Sequence, residues 1–414
     1  MKASESSSNY IGKVRECTNY AVRNIKNLSK EGYIESRGAG SKAEAGIQKK
    51  LQSELESFSD SVKFESFSAK TKTGMITNIF LLSFIVLSSF SLIASTFITG
   101  AFLLVSIVLS ILALISITGV FGGFAKSKQS ANIFAKRDSR GVTTRRVIFC
   151  ANSDAPYRRY FSKRAELILK ASCAVGSALQ LVYAVYIIFL AYNHFGFGRF
   201  MTTVNEYQDM IGLPPIVPIL PYILSVFTLF AIALMFVVNY TCTTRGVVDN
   251  LVGCYTCTGA MRYLSELDIK LDHTEVCVLI TGAKNADLAG ATAYVQTNGD
   301  ESKNLDTLIV CVDNIKDPES IGVLGGTSKG VKDVKSAAGN AGITLRGAKA
   351  KYLSSDVKAF SKAGINSALI TTLPDMAPAY FQTTLDNDDL LNPKATEPVI
   401  NILLESAYLM DSKK

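Results

Sequence analysis

The feature that most constrains this sequence is an apolar stretch in which no charged residue occurs between Lys72 and Lys126. Near Thr99 and Gly100 it divides into two runs, and two further runs follow at residues 171–192 and 216–239. Each is long enough for the helix of about 20 residues that crosses a bilayer core. Core helices of soluble proteins rarely stay uncharged over such lengths. The sequence therefore predicts four membrane-spanning helices arranged as two hairpins.

The remaining residues lie before, between and after these runs, so the predicted soluble domain is interrupted twice. The chain has 414 residues, with 48% hydrophobic residues and a mean hydropathy of +0.24, as expected for a protein that is part membrane and part soluble. The predicted segments are 1–70 (first part of the soluble domain), 75–125 (first hairpin), 126–165 (a basic segment with one core strand), 166–240 (second hairpin) and 241–414 (the rest of the soluble domain).

The net charge of +8 is concentrated between the second and third apolar runs. The basic residues there are Lys126, Lys128, Lys136, Arg137, Arg140, Arg145, Arg146, Arg158, Arg159, Lys163 and Arg164. The connections at the opposite ends of the runs carry one basic residue, Arg199. This asymmetry predicts that both termini and the basic segment are cytoplasmic, and it explains the charge without nucleic-acid binding. Facing the cytosol, the eight cysteines should be reduced, and Cys254 and Cys257 are interpreted as buried structural thiols rather than a metal pair.

Outside the apolar runs, apolar β-type segments alternate with amphipathic helical ones. Strands are predicted at residues 62–67, 145–150, 275–281, 305–313 and 367–371, and a helix closes the chain near residues 397–410. This alternation favours an α/β fold with a mixed, mostly parallel sheet sandwiched by helices, whose functional groups gather at the carboxyl ends of the strands. The glycine-rich segment GVLGGTSKG (residues 322–330) lacks the order of a P-loop and is interpreted as a turn.

Six short segments stand at the edges of these predicted elements. They are CANSDAP, GVVDNLVG, ITGAKNADLAGATAYV, CVDNIKDP, SSDVKAFSKAGINSALI and YFQTTLDNDDLL. In this order, and together with GAGSKAEAGIQKKLQSEL and FESF near the start, they resemble the zinc-dependent exopeptidases, the family of bacterial leucyl aminopeptidase, glutamate carboxypeptidase and the transferrin receptor. The resemblance implies a zinc exopeptidase-like fold over nearly all of the soluble sequence.

The resemblance also implies positions for a two-zinc site, which in this family has two His, two Asp and one Glu as ligands and a second Glu as general base. Two carboxylates match the ligand pattern, Asp249 at the bridging position and Asp313 at a terminal one. Three ligand positions carry amides instead: Asn152, Asn285 and Gln382. The position of the general base holds Lys284, and Asp154, Asp356 and Asp386 are kept as supporting carboxylates.

These replacements predict that hydrolytic zinc chemistry is lost, because amides are poor zinc ligands and an ammonium cannot accept a proton from water. The two histidines, His194 and His273, lie in the wrong places to substitute. Lys284 either neutralises Asp249 and Asp313 or points to solvent, and the sequence does not choose between these alternatives.

The favoured function is therefore a membrane-integrated pseudo-peptidase, a binding or scaffold module without zinc, whose partners are the lipid bilayer and a peptide or protein at the vestigial cleft. One alternative is a membrane-bound metallopeptidase with an altered site, in which the remaining carboxylates hold a hard cation such as calcium or magnesium. A small transporter with an appended domain is a weaker alternative, because no ionisable residue lies deep inside an apolar run.

Overall fold

The computed structural model describes residues 2–196, 201–347, 349–350 and 352–413, so Arg199 lies outside the described residues. The helices are α1 (Tyr10–Lys30), α2 (Lys42–Glu56), α3 (Thr73–Phe97), α4 (Ala101–Ile117), α5 (Lys163–Phe195), α6 (Val204–Ile211), α7 (Leu220–Ser225), α8 (Phe227–Met235), α9 (Val252–Glu266), α10 (Ala289–Asn304), α11 (Ser328–Asn340), α12 (Val357–Lys362) and α13 (Pro393–Asp411). The strands are β1 (Ser61–Lys70), β2 (Ser127–Arg137), β3 (Arg145–Asn152), β4 (Tyr157–Arg159), β5 (Val238–Thr243), β6 (Thr274–Thr281), β7 (Asp306–Val312), β8 (Gly322–Gly326), β9 (Arg346–Gly347) and β10 (Asn366–Thr371).

The chain divides into two compact units. The sheet unit comprises residues 1–71, 127–158 and 241–414, and the helical unit comprises residues 72–126 and 159–240. The chain therefore passes between the units four times.

An eight-stranded sheet in the order β1-β2-β6-β3-β7-β10-β8-β9 forms the centre of the sheet unit. Its middle strands β6, β3, β7 and β10 are parallel, whereas β1 and β2 pair antiparallel with their neighbours. The strand β8 pairs antiparallel with β10 and parallel with β9. This is the mixed, mostly parallel sheet that the sequence predicts. Since parallel strands end at the same edge, Asn152 of β3 lies beside Thr281 of β6.

Hydrophobic layers cover both faces of this sheet, as the alternation along β3 requires. Val147 and Phe149 belong to the core that α1, α2, α9, α11 and α13 cover, whereas Ile148 and Cys150 belong to the core beneath α10 and α12. Because both faces are buried, the central strands are mostly apolar, and β6 is buried at every residue.

The helical unit contains three helices long and apolar enough to cross a membrane: Thr73–Phe97, Lys163–Phe195 and Val217–Met235. These match the first, third and fourth predicted spans, and the prediction of four such helices in two hairpins is wrong in its second member. The helix α4 has 17 residues, or about 25 Å at 1.5 Å per residue, which is shorter than the roughly 30 Å hydrocarbon core. The run 216–239 ends as a helix at Met235, because the β-prone residues that follow form β5.

The helices of this unit pack with their ends in register, and two hydrophobic clusters mark the two ends. One cluster contains Leu81, Ile85, Ala113, Cys173, Ala231, Leu234 and Val237. The other contains Leu92, Leu103, Tyr183, Ala184, Ile187, Ala191, Val204, Tyr207, Val217 and Leu224. The start of α3, the end of α4, the start of α5 and the end of α8 therefore lie together, and we call this the basic end because it carries Lys126 and Lys163.

Polar side chains also join the helices halfway along their length. The hydroxyl of Ser88 on α3 lies 2.9 Å from those of Ser106 and Ser110 on α4. From α5, Gln180 donates a hydrogen bond of 2.8 Å to Ser89, and all of these side chains are buried. Such bonds between helices stabilise helical bundles in lipid by about 0.6 kcal/mol on average.

Two parts of the sheet differ from the prediction. The segment 322–330, interpreted as a turn, forms β8 and the start of α11, because Gly326 and Gly330 allow a close approach to the backbone of Ser367. The strand β2 was not predicted, and it directly follows the second apolar run. The segment 126–165 therefore supplies two strands of the central sheet, and it buries Arg146 in an ion pair with Glu275.

Candidate functional site

The predicted site residues meet where the parallel strands end. Asn152 ends β3, and Asp313 directly follows β7. Asp249 lies just before α9, in a kinked segment where the backbone is not helical and the peptide bond to Asn250 is cis. Each of these elements belongs to the buried core of the sheet unit, so the backbone fixes the three side chains.

The ammonium of Lys284 lies between the two carboxylates of the predicted zinc pair. Its Nζ is 2.5 Å from Oδ2 of Asp313 and 3.3 Å from Oδ1 of Asp249. Lys284 is 5% exposed, and each aspartate is 2% exposed. Of the two alternatives that the sequence leaves open, the neutralising contact is the one observed, and the orientation toward solvent is wrong.

In this triad, one ammonium, that of Lys284, lies against two carboxylates, those of Asp249 and Asp313. Burial lowers the pKa of Lys284, but the attraction of Asp249 and Asp313 outweighs burial, so the pKa is raised and the ammonium stays charged. Burial raises the pKa of Asp313 to about 6, and repulsion from Asp249 adds to this effect against the bond from Lys284. The triad therefore keeps a net negative charge when both carboxylates are ionised.

A second carboxylate, Asp154, fixes the amides that stand at ligand positions. It accepts hydrogen bonds from the backbone N–H groups of Lys284 (2.9 Å) and Asn285 (2.8 Å). The side-chain amides of Asn285 and Asn152 donate to it as well, at 2.9 and 3.2 Å. The Oδ1 of Asn152 in turn accepts a bond of 3.1 Å from Asn250. Both ligand-position amides are thus engaged with protein partners.

The outer carboxylates hold the backbone of the site. Asp386 accepts hydrogen bonds from the backbone N–H groups of Val248 (2.6 Å) and Asp249 (3.1 Å), and burial raises its pKa to about 7 against these bonds. Burial raises the pKa of Asp356 to about 7 as well, although Thr281 donates to it at 2.5 Å. These contacts tie Asp386 to the segment that carries Asp249, and Asp356 to the end of β6.

Gln382 is the one predicted position that the contacts do not connect to the others. It is half-buried and has a positive φ of 57°. Within the described parts of the chain, no hydrogen bond joins its side chain to the triad. The structure thus joins Asn152, Asp249, Lys284, Asn285 and Asp313 through hydrogen bonds and ion pairs, whereas Gln382 lies four residues before Asp386 in the sequence.

Two charged residues that the sequence did not single out are buried beside the site. Glu44 accepts hydrogen bonds from the backbone N–H groups of Gly40 (2.6 Å) and Ala283 (2.8 Å), and burial with repulsion from Asp154 raises its pKa to about 8. The guanidinium of Arg37 donates to the carbonyls of Ser153, Arg245 and Gly246. Both lie in or beside the quoted segment GAGSKAEAG, but nothing in that segment marks them as buried.

Comparisons with known proteins agree with this geometry. Residues 234–407 match the family model described as Peptidase family M28. Over these residues the sequence is similar to the M28 peptidases. None of the curated proteins matches the sequence.

Solved structures share the fold over nearly the whole chain. An aminopeptidase from Aneurinibacillus sp. strain AM-1 has 11% identity and a TM-score of 0.52, covering 97% of this chain and 93% of its own. A zinc aminopeptidase from Bacillus subtilis has 13% identity and a TM-score of 0.53, covering 94% of each chain. A glutaminyl cyclase from Fimbriiglobus ruber has 11% identity and a TM-score of 0.54, covering 95% of each. At such identities the likeness shows the fold, and it confirms the predicted resemblance to the zinc exopeptidases.

The side chains at the candidate site do not suit the two zinc ions that the resemblance implies. Among the residues that the structure describes, no group of three or more His, Cys, Asp and Glu side chains is arranged to hold a metal. Zinc prefers imidazole, thiolate and carboxylate ligands, whereas Asn152 and Asn285 offer neutral amides that donate to Asp154. Lys284 also places a positive charge against both kept carboxylates.

Proposed function

We propose that this protein is a membrane-integrated, non-hydrolytic relative of the M28 peptidases that acts as a binding or scaffold module. The observation that carries the proposal is the position of Lys284 between Asp249 and Asp313. An ammonium at that position repels a divalent cation, and it cannot act as a general base. The chain thus supplies its own cation to a pocket that is inherited from a metalloenzyme fold.

The membrane part of the proposal is supported by the pairing of β1 and β2. These strands lie immediately before α3 and after α4, and they pair over ten residues from Ser61 with Lys136 to Lys70 with Ser127. Paired strands lie on the same side of a membrane, so a chain that leaves through α3 must return. We propose that α4 makes this return, extended by the short helical turn Val120–Phe124, and that α5 and Val217–Met235 make the second excursion.

The same reasoning places both termini and the sheet unit on one side, and the charge distribution supports the cytoplasmic side. Within the helical unit the basic end carries six lysines and arginines: Lys72, Lys126, Arg159, Lys163, Arg164 and Lys170. The described residues at the opposite end contain the acidic residues Glu206 and Asp209 and no lysine or arginine. Positively charged helix ends remain on the cytoplasmic side of membranes.

A peptide or protein partner at the sheet edge completes the proposal. Lys284, Asp249 and Asp313 are at most 5% exposed, so a partner would contact the rim of the site rather than the triad. Asn285 and Gln382 are the half-buried positions of the site, and their amides can both donate and accept hydrogen bonds. The triad would then maintain the shape of the rim instead of binding the partner directly.

The test is a metal and activity analysis of the full chain purified in a neutral detergent. We expect less than stoichiometric zinc by elemental analysis, and no turnover of aminoacyl chromogenic substrates with added Zn²⁺, Mn²⁺, Co²⁺, Mg²⁺ or Ca²⁺. The zinc aminopeptidase from Bacillus subtilis serves as the positive control. Resistance of the protein to alkaline carbonate extraction of membranes tests its integration separately.

The alternative is a metallopeptidase with an altered site, and one variant separates the two functions. Turnover that requires a divalent metal and disappears in Asp249→Asn would overturn the non-hydrolytic proposal. Turnover unchanged in that variant would identify a contaminating peptidase, and the absence of turnover in both proteins supports the proposal.

A further inference from the structure

We propose that this protein forms a two-fold symmetric dimer in which β1 of one copy pairs with β1 of a second copy. The pairing joins the eight-stranded sheets of the two copies edge to edge. All residues that carry the inference belong to the sheet unit. It goes beyond the proposed function, because it depends neither on the candidate site nor on membrane insertion.

The strand β1 is an open edge of the central sheet. It pairs with β2 over ten residues without a shift in register, and it contains no proline. An antiparallel neighbour uses the backbone groups of alternate residues, so every second N–H and C=O of β1 faces away from β2. Within the described part of the chain, the backbone hydrogen bonds of residues 61–69 run only to β2. The other side of β1 is therefore a template for a further strand.

Folded proteins usually protect such edges, and the opposite edge of this sheet is protected by its shortness. There the last strand, β9, consists of Arg346–Gly347. No element covers the edge of β1 in this way among the described residues. Val62 packs against the core that contains α2, and Glu65 accepts a hydrogen bond from Asn298 of α10, so these helices lie on the two faces of β1.

Two charged side chains determine which strand fits this edge. Lys63 and Glu65 lie on the same face of β1, because they are two residues apart, and neither forms an ion pair with another described residue. Glu65 accepts a hydrogen bond of 3.3 Å from Asn298. Lys63 attracts Glu301, but that carboxylate is already bonded at 2.6 Å to Arg146. Both charges can therefore meet an opposite charge on an added strand.

A second copy of β1 supplies these opposite charges. When two β1 strands run antiparallel with Phe64 opposite Phe64, Lys63 of each copy lies opposite Glu65 of the other, and the overlap covers residues 61–67. Opposite side chains in a sheet are about 5 Å apart, which brings together both charge pairs and the two Phe64 rings. Phe64 is 41% exposed in the single copy, so the pairing also buries apolar surface. The contacts obey the two-fold symmetry that most homodimers have.

An extended segment of another protein is the competing partner for an open edge. It would need an acidic residue opposite Lys63 and, two positions earlier, a basic residue opposite Glu65. The sequence of β1 meets this requirement in its own residues 63 and 65. The charge pattern thus favours a second copy of this chain.

The first test is analytical ultracentrifugation of the full chain in a neutral detergent, with the charges of β1 reversed. Lys63→Glu or Glu65→Lys alone turns two attractive pairs into two repulsive ones, so each should weaken dimerisation by roughly thirtyfold. The double variant Lys63→Glu with Glu65→Lys restores both attractive pairs and should dimerise like the wild type. Lys26→Glu reverses an exposed charge on α1 and is the matched control, which should also dimerise like the wild type.

The second test is disulfide cross-linking, which reports the register. Every variant carries Cys242→Ser, because Cys242 is exposed and the other seven cysteines are buried. Phe64→Cys places two thiols opposite each other on the two-fold axis, and copper phenanthroline should oxidise them to a covalent dimer. Ser66→Cys places them about 14 Å apart along the strands, which is too far for a disulfide.

Four results would overturn the inference. They are a wild type that stays monomeric at every concentration, a dimer unaffected by the single charge reversals, a double variant that dimerises no better than the single variants, and equal cross-linking of the two cysteine variants. An extended segment of another protein predicts the first of these results. None of them bears on zinc content, peptide turnover or carbonate extraction, so failure of the proposed function is seen separately.

Discussion

Replacement of Lys284 by methionine tests the triad most directly, because it removes the ammonium and keeps most of the volume. At contacts of 2.5 and 3.3 Å, each attraction is about 5 kcal/mol or more at an effective dielectric constant near 20. Much of this is offset by the cost of burying the ammonium. Breaking a buried ion pair by removing one partner typically costs about 3–5 kcal/mol, since the remaining charge stays uncompensated. We expect Lys284→Met to destabilise the sheet unit by that amount at pH 7.5.

The buried cysteines provide an assay for this loss of stability. Seven of the eight cysteines are free and buried, so a thiol-reactive coumarin maleimide reports unfolding as they become accessible, and the chain has no tryptophan to use instead. A loss of 3–5 kcal/mol corresponds to a decrease in Tm on the order of 10 °C. Lys26→Met, at an exposed position on α1, is the matched control and should change Tm by no more than about 2 °C.

Two further measurements separate electrostatics from packing. The triple variant Lys284→Met, Asp249→Asn, Asp313→Asn has no buried charge in the triad and should recover most of the lost stability. In the single variant Asp313, whose pKa burial already raises to about 6, loses the ammonium that favours its ionised form, so protonation of Asp313 stabilises the fold. Its deficit should therefore be smaller at pH 5.5 than at pH 8. A single variant that melts within the range of the control, or a deficit unaffected by the triple variant, would refute the reasoning.

Three other predictions concern buried polar groups. Burial raises the pKa of Asp356 to about 7. The stability that the protonated Asp356 contributes is therefore complete below its unfolded pKa of about 3.9 and is lost as pH rises through 7. The variant Asp356→Asn should reduce the fall in Tm between pH 5.5 and pH 8. Arg37→Met removes three hydrogen bonds to backbone carbonyls and should cost about 3 kcal/mol, whereas the exposed Arg23→Met should change stability by less than about 0.5 kcal/mol. In the helical unit, Gln180→Leu removes the bond to Ser89 and should lower resistance to denaturation by sodium dodecyl sulfate by about 0.6–1.7 kcal/mol, and an unchanged midpoint would contradict this role.

The sequence predicts the central sheet well because buried parallel strands contain continuous apolar runs. The strands β3, β6, β7 and β10 stand out for this reason. By contrast, β2 has the sequence SKQSANIFAKR, whose polar first half resembles a loop, and its pairing with β1 is a long-range contact that no local pattern encodes. The strand β8 is glycine-rich, and its close approach to Ser367 depends on the tertiary structure.

In the candidate site, the order of the sequence segments predicted the residues of the triad but not the buried charged residues beside it. The resemblance places Asp249, Lys284 and Asp313 in one site, and the structure shows that the ammonium contacts both carboxylates. Glu44 and Arg37 could not be found in this way, because a glutamate near the start of an amphipathic helix and an arginine in a glycine-rich turn are usually exposed. Their burial depends on the loops that follow β3 and β6, which are distant in sequence.

The four passages between the units affect how this protein is made and how it can be cut. The ribosome releases β1 before any apolar helix, β2 and β3 between the two apolar segments, and β6, β7 and β10 only after both. The central sheet therefore cannot close until the last apolar segment has been synthesised, so a defect in the folding of the helical unit should appear first as a misassembled sheet. For the same reason, no single proteolytic cut can shed the sheet unit intact, since its three chain segments are joined to one another only through the helices.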